Sequence, residues 1–167
     1  MRVYLAASVP SSDERILKRL DDAGRLFDLE LTVGRRPWES MQTIPPDVAR
    51  AITDAELAVF WMQRGGAHLS YVDLEAGFAR NACPETPLLV FVDEGIRPEG
   101  CLEWRDAIYF SVLDPWQAIQ KSWQVAGRNY AALGRDVAPR LAGWLLTAIG
   151  LRLVQALPAH EKAGARR

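Results

Sequence analysis

Leu57-Ala58-Val59-Phe60-Trp61-Met62 is an unbroken apolar run of strand length, and Leu88-Leu89-Val90-Phe91-Val92, after Pro87, is another. A strand with one wet face alternates apolar and polar residues. Runs without alternation are covered on both faces, as in parallel sheets flanked by helices. Between the two runs, Gly65-Gly66 gives a turn and Tyr71 to Ala82 a helix, with Val72, Ala76 and Ala79 along one side. Strand, helix, strand in this order is the unit of a parallel sheet, because right-handed crossovers carry the helices onto its faces.

Working towards the N-terminus, Pro45-Pro46 marks a helix start continued by Val48, Ala49, Ala51 and Ile52 to Thr53-Asp54. Before it, Gly34 to Ile44 reads as a loop. Leu26 to Val33 alternates Phe27, Leu29, Leu31 and Val33 with polar partners, which predicts a strand near a sheet edge. Ser11-Ser12-Asp13-Glu14 caps a helix whose Ile16, Leu17, Leu20 and Ala23 recur at helical spacing up to Gly24. Arg2 to Ser8, bounded by Pro10, is a buried opening strand. Towards the C-terminus, Ala107-Ile108-Tyr109-Phe110-Ser111 predicts a fifth short strand. Asp114-Pro115-Trp116 then starts a helix through Ile119, Trp123 and Ala126. The expected order is β-α-β-α-β-α-β-β-α with one further helix. Residues 1–132 form one α/β domain in this reading, 133–158 an apolar C-terminal helix, and 159–167 a frayed tail.

A chain of 167 residues with 20 basic and 21 acidic side chains fits one domain without a net field towards nucleic acid or an anionic membrane. Cys83 and Cys101 lack metal-ligand spacing, and the start of the chain reads as a strand, not a secretion signal. A cytoplasmic protein without a metal is the expectation. The stretch Leu141 to Leu157 is apolar on more than one stripe, so part of it needs a cover. A second copy of the chain is the first choice, membrane contact the second, and docking on the domain's own sheet the third.

Ligands of open parallel sheets bind outside the carboxyl ends of the strands, where the strand order reverses. Here that gathers Ala6 to Ser12, Met62 to Tyr71 and Asp93 to Ile96. No G-x-G-x-x-G follows the first strand and no G-x-x-x-x-G-K-[ST] occurs, so neither a dinucleotide fingerprint nor a P-loop is present. The segment Gly65-Gly66-Ala67-His68-Leu69-Ser70-Tyr71-Val72-Asp73-Leu74-Glu75-Ala76-Gly77-Phe78-Ala79 remains. Its glycines let backbone approach a ligand, and the helix start directs free N–H groups at it. A carboxylate at Glu75 can attack an anomeric carbon or stabilise the positive charge that develops as an N-glycosidic bond breaks. Burial near Trp61 and Tyr71 would tune it. From spacing alone, however, a glutamate in the first turns of a helix is ordinarily a charge that suits the helix dipole.

Val3-Tyr4-Leu5-Ala6-Ala7-Ser8, Ile52 to Val59, and Leu74-Glu75-Ala76-Gly77-Phe78-Ala79 followed by Pro87-Leu88-Leu89-Val90-Phe91 resemble the nucleoside 2-deoxyribosyltransferase superfamily. That superfamily includes deoxynucleotide N-glycosidases and is akin to TIR domains. The resemblance covers roughly the first two thirds of the chain, and E-x-G-x-A is its most specific motif. It implies a flavodoxin-like, doubly wound, five-stranded parallel sheet with an added C-terminal helix, Glu75 as nucleophile, Tyr4 as an aromatic beside it, and Ser8 near the sugar. Ser70-Tyr71-Val72-x-x-Glu75 also resembles the serine, tryptophan and glutamate stretch of catalytic TIR domains, which cleave NAD. There Tyr71 replaces the usual tryptophan, and Ser70 lies one place closer to it. Deoxyribosyltransferases carry an aspartate on the helix before the third strand. Aligning Ala55-Glu56 with their Ala-Asp puts Val48 at that position and Asp47 one residue away, a turn of ~100° on a helix.

The resemblance therefore implies an enzyme acting on a nucleoside, nucleotide or NAD, without a cofactor and often as a homodimer. A TIR-like NAD hydrolase or cyclase in defence signalling and a nucleotide-sensing module without turnover are the alternatives. Catalytic candidates are Glu75 and Tyr4. Substrate-binding candidates are Ser8, Asp47, Trp61, Gly65, Gly66, His68, Ser70 and Tyr71. Asp73 is read as a solvated charge facing away from Glu75, and Trp38, Trp104, Arg35, Arg36 and Arg64 as packing or solubility residues unless they meet a base or phosphate.

Overall fold

The computed structural model describes residues 1–8, 14–34, 43–63, 66, 69–96, 107–110, 120, 139–141, 143–144 and 146–147. They contain strands β1 (Arg2–Ser8), β2 (Glu30–Val33), β3 (Leu57–Met62), β4 (Leu88–Asp93) and β5 (Ile108–Phe110). Helices α1 (Glu14–Leu26), α2 (Pro46–Thr53) and α3 (Leu69–Ala82) connect them. The sheet has the order β2-β1-β3-β4-β5, and every pairing is parallel. This is the doubly wound, flavodoxin-like arrangement that the resemblance implies, with the parallel pairing expected from the two apolar runs and β2 at an edge.

The pleat divides the side chains between two core layers. Val3, Leu5, Leu57, Val59, Trp61, Leu89, Phe91 and Ile108 share one layer with Leu20 and Ala23 of α1. Tyr4, Ala6, Ala58, Phe60, Met62, Val90 and Val92 share the other with Val48 and Ile52 of α2 and Tyr71, Val72, Ala76 and Ala79 of α3. All six residues of β3 are buried, so the lack of alternation in its sequence has its cause in this two-sided cover.

One element differs from its sequence reading. The alternation of Leu26 to Val33 suggests a single strand, but α1 continues through Gly24 to Leu26 and the strand starts only at Glu30. Between them the chain reverses: the N–H groups of Phe27 and Leu29 both donate to the Gly24 carbonyl at 2.9 Å, and Asp28 takes a left-handed φ of 55°. Phe27 and Leu29 are thus apolar for packing under the turn and not for a ladder. The tip of the Leu31 side chain packs where a Cβ on Gly24 would lie.

At the start of α2, Pro45 occupies the cap and Pro46 the first helical position, where a missing N–H costs nothing. Residues 139–141, 143–144 and 146–147 are helical. Leu141 and Trp144 are fully buried in the α1-side layer, and the Trp144 Nε1–H donates to the Leu20 carbonyl at 3.1 Å. For these residues the cover is the domain's own core, the third of the three choices, while Leu146 is 45% exposed. No helix among the described residues is long and apolar enough to cross a membrane. Apart from helical Gln120, the helix expected over 114–126 and the frayed tail lie outside the described residues.

Candidate functional site

From β1 the chain crosses to its neighbour β2 on one side, and from β3 to β4 on the other. The reversal falls between β1 and β3, where Ser8 pairs in register with Met62. Connections to opposite faces part at this point and leave a crevice at the carboxyl ends. The chain leaving β3 turns there: the Gly66 N–H donates to the Gln63 carbonyl at 3.0 Å. Gly66 is pressed against β1 so closely that a Cβ would overlap Ser8 Oγ and lie 2.5 Å from the Ser8 carbonyl oxygen. The glycine thus fastens the ends of β1 and β3 together, and the requirement is space, not a left-handed backbone.

α3 packs on β1, β3 and β4. Its sheet-facing residues are Tyr71, Val72, Glu75, Ala76 and Ala79, the i, i+1, i+4, i+5, i+8 stripe of a helix lying on a sheet. Glu75 falls within that stripe and has 0% exposure. It is the one fully buried carboxylate among the described residues, where burial of a charged group is costly without specific partners. At 1.5 Å per residue it lies about 9 Å along α3 from Leu69. On the facing side of β1, Ser8 is followed downward by Ala6 at ~7 Å and Tyr4 at ~13 Å. Tyr4 and Ala6 of β1 line the core layer on which α3 packs. The Tyr4 ring is fully buried and tilted against Phe60, with centroids 6.3 Å apart.

Tyr4, Ser8, Glu75 and Tyr71 are thus all buried on one face of the sheet, with Gly66 at its rim. Trp61 is not with them. It belongs to the opposite layer, stacked on Phe91 at 5.2 Å, so it neither tunes Glu75 by contact nor stacks on a ligand beside it. The reason is parity: residue 61 has the opposite pleat to Phe60 and Met62. Ser70 is exposed, one position off the buried stripe. Asp47 is exposed in the first turn of α2 while Val48 is buried, which is the ~100° offset expected from the alignment. Asp73 departs from its reading as a solvated charge: it is half-buried, and its Oδ1 is covered. Gly65, His68, Arg35, Arg36, Arg64, Trp38, Trp104 and Cys101 lie outside the described residues.

Gln63 was not singled out by its sequence context, yet it is one of three buried polar residues among those described, with Ser8 and Glu75. Its sequence signal was its place, the first residue beyond β3 at the reversal point. A separate groove of about 490 Å³ runs between α1 and β2, lined by Leu17, Lys18, Asp21, Leu31, Thr32, Val33 and Gly34. It shares no residue with the buried group and lies at the sheet edge. Among the described residues no group of His, Cys, Asp and Glu could hold a metal ion. No protein-family model matches the chain, and no curated protein matches it in sequence.

Proposed function

We propose that this protein cleaves, or transfers across, the N-glycosidic bond of a nucleoside or nucleotide, with Glu75 as the nucleophile. The observation that carries this reading is the full burial of Glu75 in α3, the helix that follows the β1/β3 reversal point. Buried ionisable groups gathered near a strand-end crevice are the pattern of sites that do chemistry. The E-x-G-x-A context of Glu75 supplies the class of reaction.

In the proposed course, a nucleoside enters across the ends of β1 and β3. A Glu75 carboxylate oxygen bonds to the anomeric carbon as the bond from that carbon to the base nitrogen breaks. The electron pair leaves with the base, which takes a proton from solvent. Water, or the hydroxyl or base nitrogen of an acceptor, then attacks the same carbon, loses its proton to solvent and releases the carboxylate. Tyr4 and Ser8, buried on β1 beneath α3, line the proposed site with Glu75. The same chemistry on NAD would release nicotinamide.

The test is incubation of the protein with ribo- and deoxynucleosides, their monophosphates and NAD, followed by chromatography for free base or nicotinamide. Base release identifies the substrate class. Glu75→Gln keeps the shape and removes the nucleophile, and turnover is expected to fall at least about a thousandfold. Release of base from no substrate, or unchanged turnover in the variant, overturns the reading. Binding without release would leave a nucleotide-sensing module.

A further inference from the structure

β2 closes the sheet on its side, and among the described residues it pairs with β1 alone. The N–H groups of Glu30 and Gly34 donate to the Met1 and Leu5 carbonyls, both at 2.9 Å, so the even-numbered amides of this strand face β1. By the two-residue repeat, the N–H and C=O groups of Leu31 and Val33 face outward. Such a row is a template for a further strand, and edges are often blunted by lysine or proline. β2 reads Glu-Leu-Thr-Val and has neither, and its two outward amides belong to apolar residues.

The side chains at this edge are incompletely covered. In the α1-side layer Val3, Leu5 and Val59 are fully buried, whereas Leu31 and Val33 of β2 and Leu17 of α1 are only half-buried. These three line the groove of about 490 Å³ between α1 and β2, with Lys18 and Asp21 on its helical wall. The wall thus carries one charge of each sign, one helical turn apart. The Asp21 carboxylate is oriented by Arg25, whose Nη2 lies 3.0 Å from its Oδ2.

We propose that this edge is an interface between two copies of the chain, joined by antiparallel pairing of β2 with β2 about a two-fold axis at Thr32. Residues opposite each other in an antiparallel pair share a face, and this register sets Leu31 against Val33 of the second copy. All the outward N–H and C=O groups of both residues then find partners. The axis reverses the order of the groove wall, so Lys18 of each copy lies towards Asp21 of the other, the reciprocal contact of an isologous interface. Exposed ion pairs add little affinity, so these fix orientation while covering Leu17, Leu31 and Val33 supplies the driving force. An unrelated extended peptide would meet the backbone edge but not this charge pattern, which favours a second copy as the occupant. No residue of the Glu75 group takes part, and the inference is independent of the N-glycosidic reading.

The experiment measures the mass of the full chain by sedimentation at micromolar concentration, where two chains are expected. Val33→Pro removes an outward N–H and no bond to β1, as an edge strand tolerates, and is expected to raise the dimer Kd at least about tenfold. Lys18→Glu is expected to weaken the dimer, and Lys18→Glu with Asp21→Lys to restore it. Disulfide capture fixes the register. The Thr32 Cα atoms of the two copies would stand about 4.5 Å apart, within reach of a disulfide, while those of Glu30 would be ~13 Å apart. Under mild oxidation Thr32→Cys is therefore expected to give a covalent dimer, and Glu30→Cys and the unaltered chain are not. A monomeric mass for the unaltered chain overturns the proposal and leaves the edge to an extended segment of another protein. A dimer that Val33→Pro and Lys18→Glu leave unchanged, or equal capture at positions 30 and 32, overturns it as well. Should Val33→Pro fail to fold, the charge exchange and the disulfide pair decide.

Discussion

Replacing Gly66 with alanine probes whether the ends of β1 and β3 are held together as the site requires. The added Cβ would lie 2.5 Å from the Ser8 carbonyl oxygen and 2.7 Å from its carbonyl carbon, as well as against Ser8 Oγ. Two of these three atoms are backbone, so relief demands that the turn or the end of β1 shift. Overpacking of this kind costs about 1–3 kcal/mol. For a chain of this size that lowers the melting temperature by roughly 2–4 °C per kcal/mol. Turnover is expected to fall further than stability, because a displacement of about 1 Å at a reacting geometry is worth about a hundredfold. Urea unfolding and base release measured on the same preparation give both quantities. Gly24→Ala is the control: its Cβ would press on the movable tip of Leu31 and stand at an ordinary 3.4 Å from the Leu29 carbonyl oxygen, and a helix-interior alanine gains up to about 1 kcal/mol, so the net change stays within about that amount. Ser8→Ala removes Oγ but leaves the backbone contacts, and is not expected to rescue Gly66→Ala. Native stability and turnover in Gly66→Ala, or full rescue by Ser8→Ala, would refute the reasoning.

Trp144→Phe removes the donor to the Leu20 carbonyl while keeping a ring in the core, and is expected to cost about 1–2 kcal/mol. Trp144→Ala also leaves a cavity and is expected to cost about 3–5 kcal/mol; equal midpoints for both variants in urea would show that the indole is not seated against α1. Arg140→Ala breaks the 3.5 Å pair with Asp28, whose side chains are 46% and 78% exposed, and is expected to change stability by less than about 0.5 kcal/mol at any salt concentration. A larger loss would mean that this pair, and not Trp144, holds the C-terminal helix.

The fold was legible because its signals are local. β3 and β4 announce two-sided burial by the absence of alternation, and Pro45-Pro46 announces the start of α2. The misread boundary at Leu26 has the same origin, since alternation reports which residues want burial and not whether a ladder or a turn buries them. Asp28 in the left-handed region decides that, together with hydrogen bonds from the Phe27 and Leu29 N–H groups to the Gly24 carbonyl that no periodicity encodes.

For the site, the sequence determined that Tyr4 and Ser8 share one face of β1, by parity, and that Glu75 shares a helix face with Tyr71 and Ala79, by the 3.6-residue period. Only the tertiary structure decided that these two faces meet, since register between β1 and β3 and the seating of α3 on both are long-range packing choices. It likewise separated Trp61 from the group, buried half of Asp73, left Asp47 in solvent and brought Gln63 under cover. Glu75 is a plausible surface charge in the sequence and a fully buried carboxylate in the fold, because burial belongs to what lies opposite a residue, and that is fixed by the strand order.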